Sequence, residues 1–211
     1  MSQTKVAVGM LNATGTPGSG NFLRGDGSWT AAGGMTFINT TDISAAATYN
    51  FTAVNASSYD GYGLFLQNVV PVTDNVQMFF RTSTDGGSSY DAGSSDYSWM
   101  AENLGTYQYD PADNQIELVG DAGSTSYTIG SDTNEPGVSG WIWVYGPHLT
   151  QHTMIRWSIA QVPANQPTFG VDAMGGAGVR MSAADVDAFQ ILFSSGNIES
   201  GTINVYGLAN A

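Results

Sequence analysis

Apolar and polar residues alternate in short runs from Met35 onward, and turn residues separate these runs, as in half-buried β-strands. The run 76–82 predicts a strand with one face formed by Val76, Met78, Phe80 and Thr82. The run 155–159 places its apolar residues on one face. By contrast, 141–145 alternates aromatic and β-branched residues and predicts a strand covered on both faces. Further strands are predicted at 189–193 and 203–206.

Helical periodicity is nearly absent from the chain. Only residues 182–187 suggest one helical turn, with Ser182 as its cap. Segment 194–197 and Gly201 predict a hairpin connection between the last two strands. No repeat of solenoid or propeller length is present. The pattern therefore predicts an all-β head over residues 35–211, a β-sandwich or jelly-roll-like double sheet.

Residues 1–34 differ from the head and predict a short, extended N-terminal arm. Segment 12–20 is small, polar and rich in glycine, which is typical of a flexible linker. However, Phe22, Leu23 and Trp29 are large apolar residues that a linker does not need. We therefore expect these three residues to make trimer or anchor contacts, packing against copies of themselves in an oligomer.

Charge and composition exclude several classes of function. The chain has 18 acidic and 5 basic residues, a net charge of -13, and its basic residues are scattered. Phosphate binding needs clustered Lys and Arg, so we expect no nucleic-acid partner and no binding to anionic membranes. Cysteine is absent, which excludes disulfides and thiol chemistry. No signal peptide or membrane-spanning run is visible, so we expect a protein that leaves its host cell by lysis.

Two stretches resemble bacteriophage proteins. Residues 13–30 contain Leu-Arg-Gly-Asp-Gly-Ser-Trp after a Gly-, Thr-, Pro- and Ser-rich run, and they resemble a segment widespread in tail fibres of tailed phages. Residues 82–90 and 191–208 are similar to a phage tail-protein head domain. The resemblance implies a non-enzymatic virion protein, assembled in the host bacterial cytoplasm. It also implies a homotrimeric fibre displayed on the particle and involved in attachment to the host surface.

The chain departs from the tail-fibre pattern because only about a dozen residues precede the matching segment, where fibres carry a long shaft. We expect either a small fibre tip or a fibre that docks on tail or capsid through residues 1–20. Two alternatives stay open. One is a capsid decoration protein without receptor binding, and the other, more remote, is a small polysaccharide depolymerase.

The individual motifs are better explained as turns and loops than as catalytic or binding sites. Segment 83–90 matches the Asp-box pattern, in which Asp85 would accept backbone hydrogen bonds and Tyr90 would pack beneath the turn. Sialidases carry several such boxes and an arginine cluster, which this sequence lacks. The tripeptide 24–26, Arg-Gly-Asp, is interpreted in the same way as a turn.

The ionisable residues do not form a recognisable catalytic or cofactor motif. His148 and His152 are the only histidines, and because Pro147 precedes them we expect a surface loop, with a three-fold metal site in a trimer as a minor alternative. Acidic stretches 109–117 and 131–135 are expected to be solvated loops, although paired carboxylates can serve glycoside hydrolysis or calcium binding. We therefore predict no catalytic residue, no cofactor and no metal ligand.

Aromatic residues give the clearest indication of a ligand. The chain has 5 Trp and 10 Tyr, and aromatic faces stack on sugar rings, so these residues indicate a host-surface glycan as a partner. Most such rings are expected in the core or in a trimer interface. The aromatic residues in turn-rich stretches are Tyr90, Tyr97, Trp99, Tyr107, Tyr109 and Tyr127. The sequence does not bring them together at one site.

Overall fold

The structure, a computed structural model, describes residues 14–16, 21–31, 34–54, 57–103, 106–120, 128–164 and 170–209. These residues form fourteen β-strands and no helix, which confirms the predicted all-β class. The strands are β1 (Asn21–Leu23), β2 (Trp29–Ala31), β3 (Met35–Ala46), β4 (Tyr49–Phe51), β5 (Tyr59–Pro71), β6 (Met78–Ser83), β7 (Tyr97–Asn103), β8 (Thr106–Asp113), β9 (Ile116–Val119), β10 (Val138–Tyr145), β11 (Met154–Gln161), β12 (Asp172–Arg180), β13 (Ala188–Phe193) and β14 (Ile198–Ala209).

The chain divides into two units, Met1–Gly34 (with Ala211) and Met35–Asn210. In the first unit, β1 and β2 form an antiparallel hairpin that pairs Leu23 with Trp29. Asp26 stabilises the turn between them, because its carboxylate accepts hydrogen bonds from the Ser28 amide at 2.9 Å and the Ser28 hydroxyl at 2.6 Å. These bonds lower the pKa of Asp26. The Arg-Gly-Asp tripeptide therefore lies in a hairpin turn.

The second unit, the head, contains two antiparallel sheets. The larger has the strand order β3-β14-β5-β10-β11-β12-β7-β8 and the smaller has the order β4-β13-β6-β9. Rings from the two sheets contact each other, since the centroid of Tyr62 in β5 lies 5.6 Å from Phe51 in β4 and 5.8 Å from Phe189 in β13. The sheets pack face to face with the core between them. A jelly roll has eight strands, whereas these two sheets have twelve, so the jelly-roll subtype stays a prediction.

Alternation along single strands explains which side chains form the core. In β11, Ile155, Trp157 and Ile159 are buried while the residues between them are exposed. In β6, alternate positions are fully buried, as the sequence predicts: Met78, Phe80 and Thr82. Both strands therefore present one face to the space between the sheets, where apolar burial stabilises the fold.

A polar network also joins the two sheets. Arg180 of β12 donates to the Asp91 carboxylate at 2.7 Å, and that carboxylate accepts the Thr82 hydroxyl at 3.1 Å. The Tyr97 hydroxyl of β7 accepts the Thr82 amide of β6 at 2.8 Å. Burial raises the pKa of Tyr97 to about 12. Because Arg180 and Tyr97 are buried, these bonds hold the two sheets in one relative position.

Two predictions for the segments that flank β13 are wrong. Segment 194–197 is not a hairpin connection, because β13 pairs with β4 and β6 in the smaller sheet while β14 pairs with β3 and β5 in the larger. The segment crosses between sheets instead. Residues 182–187 form no helical turn and lead irregularly into β13.

Candidate functional site

The outer face of the larger sheet, which points away from the smaller one, carries two transverse rows of side chains. Strand register brings together residues that are far apart in sequence. Row 1 contains Phe37, Tyr206, Gly63, Trp143, Arg156, Ala177, Met100 and Tyr109. Row 2 contains Thr40, Asn204, Phe65, Trp141, Ser158, Gly175, Glu102 and Tyr107.

This outer face carries most of the exposed apolar side chains. More than half of the exposed large hydrophobic side chains in the described part of the chain lie on it: Met35, Phe37, Met100, Tyr107, Tyr109, Tyr145, Met154 and Leu208. On the smaller sheet, one outer row is polar, because Asn50, Gln190 and Arg81 lie side by side across three strands, whereas the next row pairs Leu192 with the buried Phe79. Exposed apolar surface concentrated on one face is typical of a binding surface.

A groove of about 610 Å³ runs across rows 1 and 2 between β10 and β8. Its floor is made of small residues, which are Ser158, Ala173, Gly175 and Ala177. Trp141 and Arg156 form one wall, and the opposite wall is formed by Met100, Glu102 and Tyr107. Strands lie about 4.8 Å apart, so Trp141 and Tyr107, four strands apart, are separated by roughly 19 Å at the backbone. That width accommodates a ligand of more than one sugar ring.

Adjacent glycines of β12 have opposite roles in shaping the groove. At Gly176, which faces the core, an added Cβ would lie 2.2 Å from Cζ2 of Trp157 and 2.5 Å from the Met100 carbonyl oxygen. At Gly175, on the outer face, the nearest atom would be the Trp157 carbonyl oxygen at 3.7 Å. Gly176 therefore allows Trp157 to be buried, whereas Gly175 leaves space open above the floor.

Ring contacts support the tryptophan wall from the side away from the groove. The Trp141 centroid lies 6.4 Å from Trp143, which in turn lies 6.1 Å from Phe65 at a steep interplanar angle of 80°. The series continues through Tyr206 to Phe37, with centroids 5.3 Å and 5.5 Å apart. Edge-to-face pairs of this kind stabilise each other, so Trp141 is held in place before any ligand binds.

Trp141 was missed at the sequence level because the strand containing it was predicted to be covered on both faces. That prediction is wrong. Ile142 and Val144 are buried, but Trp141 and Trp143 are only partly buried and Tyr145 is 47% exposed. Aromatic residues alternating with β-branched ones fit an open aromatic face as well as a covered one, so the pattern could not distinguish them.

Arg156 and Glu102 are the charged residues lining the groove. Both are exposed, and neither forms an ion pair in the described part of the chain. They lie diagonally across β12, two strand spacings and one row apart, which is roughly 12 Å between the backbones. The groove thus offers an aromatic wall, a small-residue floor and two unpaired charges of opposite sign.

The aromatic residues singled out from the sequence have different locations. Tyr97 and Trp99 are buried at 0% and 7% exposure and belong to the core. Tyr107 and Tyr109 lie on the edge strand β8 and are 69% and 68% exposed. Tyr90 is partly buried beside the turn at 83–90. Tyr127 lies outside the described residues.

The Asp85 turn is confirmed as a structural element. Its carboxylate accepts the Ser89 hydroxyl at 2.6 Å, the Ser89 amide at 2.9 Å and the Ser83 hydroxyl at 2.8 Å. These bonds, the Ser89 ones first, lower the pKa of Asp85 to about 2. Positive φ angles at Gly86 and Gly87 close the turn.

The prediction that the acidic stretch 109–117 is a solvated loop is wrong, because the stretch covers the end of β8 and the start of β9, and Glu117 is buried. Its side chains form local hydrogen bonds. Asp113 accepts the indole N–H of Trp99 at 2.9 Å, and Glu117 accepts the side-chain amide of Gln77 at 2.7 Å. Asp110 accepts the Ala112 amide at 2.9 Å. These residues line a second cleft of about 440 Å³. Because the carboxylates of this cleft accept hydrogen bonds from the protein itself, we assign them a structural role.

The two histidines lie in the loop between β10 and β11, as predicted. Nε2 of His148 lies 3.9 Å from the Asp60 carboxylate, and Nδ1 of His152 lies 3.0 Å from the Arg180 carbonyl oxygen. Within the described ranges, no group of three or more His, Cys, Asp or Glu residues could hold a metal ion.

In the arm, the residues predicted to make oligomer contacts are accessible to different extents. Phe22 and Leu23 are 49% and 40% exposed, whereas Trp29 is partly buried. Of the anchor predicted at residues 1–20, only residues 14–16 are described.

No protein-family model, curated protein or solved structure matches this chain. Among the described residues, no helix has the length and apolarity needed to cross a membrane.

Proposed function

We propose that the chain is a structural bacteriophage virion protein, a fibre displayed on the particle that attaches to a saccharide on the host surface. Two independent features support this proposal. The resemblance of residues 13–30 to tail-fibre segments supports the virion location, and the groove on the head supports the attachment role. The anchoring partner would be a tail or capsid protein bound through residues 1–20.

The groove is the observation that carries the attachment role. Ligand sites are concave, largely apolar and provided with a few polar groups that fix orientation. Trp141 offers a flat ring for stacking on the apolar face of a sugar, and Ser158, Arg156 and Glu102 can exchange hydrogen bonds with its substituents. Because all of these side chains lie on one hydrogen-bonded sheet, ligand binding restricts little additional backbone motion, which lowers the entropic cost of binding.

The same groove favours binding over hydrolysis. Glycosidases use two carboxyl groups on either side of the scissile bond. Glu102 is the one carboxylate among the described residues that line the groove. The depolymerase alternative therefore has less support than an attachment protein.

Multiple copies would compensate for a weak single site. We propose a homotrimer, supported by Phe22 and Leu23, which remain exposed in the arm hairpin. Met35 and Phe37, the first apolar residues of the head, are also exposed, at 47% and 53%. Joining several weak sites in one assembly raises the total affinity without any new contact.

A capsid decoration protein is the second candidate, and the apolar outer face is the observation that favours it. In that case Met35, Phe37 and Leu208 would lie against the shell instead of against a partner copy.

Adsorption competition tests the proposal. The purified full-length protein should slow adsorption of the phage that encodes it, and Trp141→Ala should lose this effect. Tyr145→Ala, which removes an exposed ring of the same face outside the groove, is the matched control and should still compete. If the unaltered protein does not slow adsorption, the attachment role is wrong. If both variants compete fully, the groove is not the site.

A further inference from the structure

We infer that the groove selects saccharides bearing a carboxylate, and that Arg156 is the residue that binds this group. The inference rests on the proposed saccharide ligand and adds its chemical class. It is drawn from the placement of Arg156 among the charged residues of the head.

Arg156 is the arginine of the head that the fold does not use. Arg180 forms an ion pair with Asp91 at 2.7 Å, and the guanidinium of Arg81 donates to Gln115 at 2.8 Å. Arg156 has no hydrogen-bond or ion-pair partner in the described part of the chain. It is also one of only 5 basic residues in a chain with 18 acidic ones, so its unpaired state is not caused by a shortage of carboxylates.

The position of Arg156 suits a substituent of a stacked sugar ring. Strand register places it beside Trp143 in row 1, and Trp141 is its diagonal neighbour on β10. Diagonal neighbours on adjacent strands lie roughly 7–8 Å apart, within reach of long side chains. A ring stacked on Trp141 can therefore present an exocyclic carboxylate to the guanidinium. The guanidinium presents paired N–H donors that match the two carboxylate oxygens.

Glu102 on the opposite wall determines the orientation of the ligand in the groove. Its carboxylate repels a second negative group and accepts hydrogen bonds from hydroxyls. With roughly 12 Å between the two backbones, one monosaccharide fits between the charged side chains. The carboxylate would therefore lie at the Arg156 end, and neutral hydroxyls would lie at the Glu102 end.

Matched pairs of ligands test the inference on the full-length protein. The probes are carboxylate-bearing bacterial oligosaccharides, including uronic-acid oligomers, each beside its own carboxyl-reduced, neutral form, with affinities measured by calorimetry. The protein should bind at least one acidic form about 10- to 100-fold more tightly than its reduced form. Arg156→Gln should abolish that preference. Arg156→Lys, which keeps the charge but loses the paired donors, should retain only part of it.

Further variants separate the two proposals. Trp141→Ala should weaken binding of both forms, whereas Glu102→Gln should leave the preference for the acidic form intact. Equal binding of acidic and reduced forms that is lost in Trp141→Ala would overturn the carboxylate inference and leave the saccharide site standing. An acidic preference that persists in folded Arg156→Gln would also overturn the inference. If no saccharide in the panel binds, both proposals are wrong.

Discussion

Replacing Gly175 with leucine should block the groove without disturbing the fold. Gly175 lies on the outer face of β12, its φ is not in the left-handed region, and a Cβ there would meet nothing closer than 3.7 Å. A side chain at a strand glycine that tolerates it also reduces the freedom of the unfolded chain. The free energy of unfolding should therefore stay unchanged or rise by up to about 1 kcal/mol.

Binding should fall because the leucine side chain occupies the space directly above the floor. Forcing extra methylene groups into a fitted site costs about 1–3 kcal/mol. That cost corresponds to a roughly 5- to 150-fold increase in Kd for any saccharide that lies between Trp141 and Tyr107. The neighbouring variant Gly176→Ala should behave in the opposite way. Its Cβ would lie 2.2 Å from the Trp157 ring, so it should lower stability by about 1–3 kcal/mol.

Two measurements on each variant separate binding from folding. Denaturant unfolding gives the stability, and calorimetry with the tightest saccharide gives the Kd. The reasoning is refuted if folded Gly175→Leu binds as tightly as the unaltered protein, because a ligand in the groove cannot avoid that side chain. It is also refuted if Gly175→Leu unfolds as easily as Gly176→Ala.

Three further predictions concern stability, assembly and anchoring. Burial raises the pKa of Tyr97 from 10.0 to about 12, so the contribution of Tyr97 to the free energy of unfolding should be fully present below pH 10. It should then fall by about 2–3 kcal/mol towards pH 12. Denaturant titrations should show a smaller fall in Tyr97→Phe, and an equal fall would contradict the assignment. Mass photometry should show a trimer that Phe22→Ser with Leu23→Ser dissociates, and a monomer at micromolar concentration would exclude this assembly. Deleting residues 2–20 should leave folded, soluble protein that no longer co-sediments with phage particles, and retention on the particle would place the anchor elsewhere.

The sequence predicted local strand geometry well, because alternation along one strand depends on neighbouring residues alone. The alternating burial of β11 follows directly from its side chains, and in β6 the predicted face of Met78, Phe80 and Thr82 is fully buried although Phe79 is buried as well. Sheet membership depends on distant pairing, and the sequence does not show it. Segment 194–197 has the composition of a hairpin turn and yet connects two different sheets.

The candidate groove was even less accessible to prediction. Its walls and floor come from β7, β8, β10, β11 and β12, which meet in an order unlike their order in the chain. Tyr107 was identified as one of the aromatic candidates in turn-rich stretches, but nothing in the sequence links it to Trp141. The alanines and glycines of β12 do not indicate a binding site by themselves. They form a groove floor only because the side chains on either side of them are larger.

A cryo-EM map of the intact phage particle tests the central claim most directly, because it shows both where the chain sits and which face is free. The proposed function predicts density for the arm against a tail or capsid protein, with the head projecting and the groove between Trp141 and Tyr107 open to solvent. Absence of the chain from the particle would contradict the virion assignment. A head whose outer sheet face is buried against the capsid shell would contradict the attachment role and favour a decoration protein.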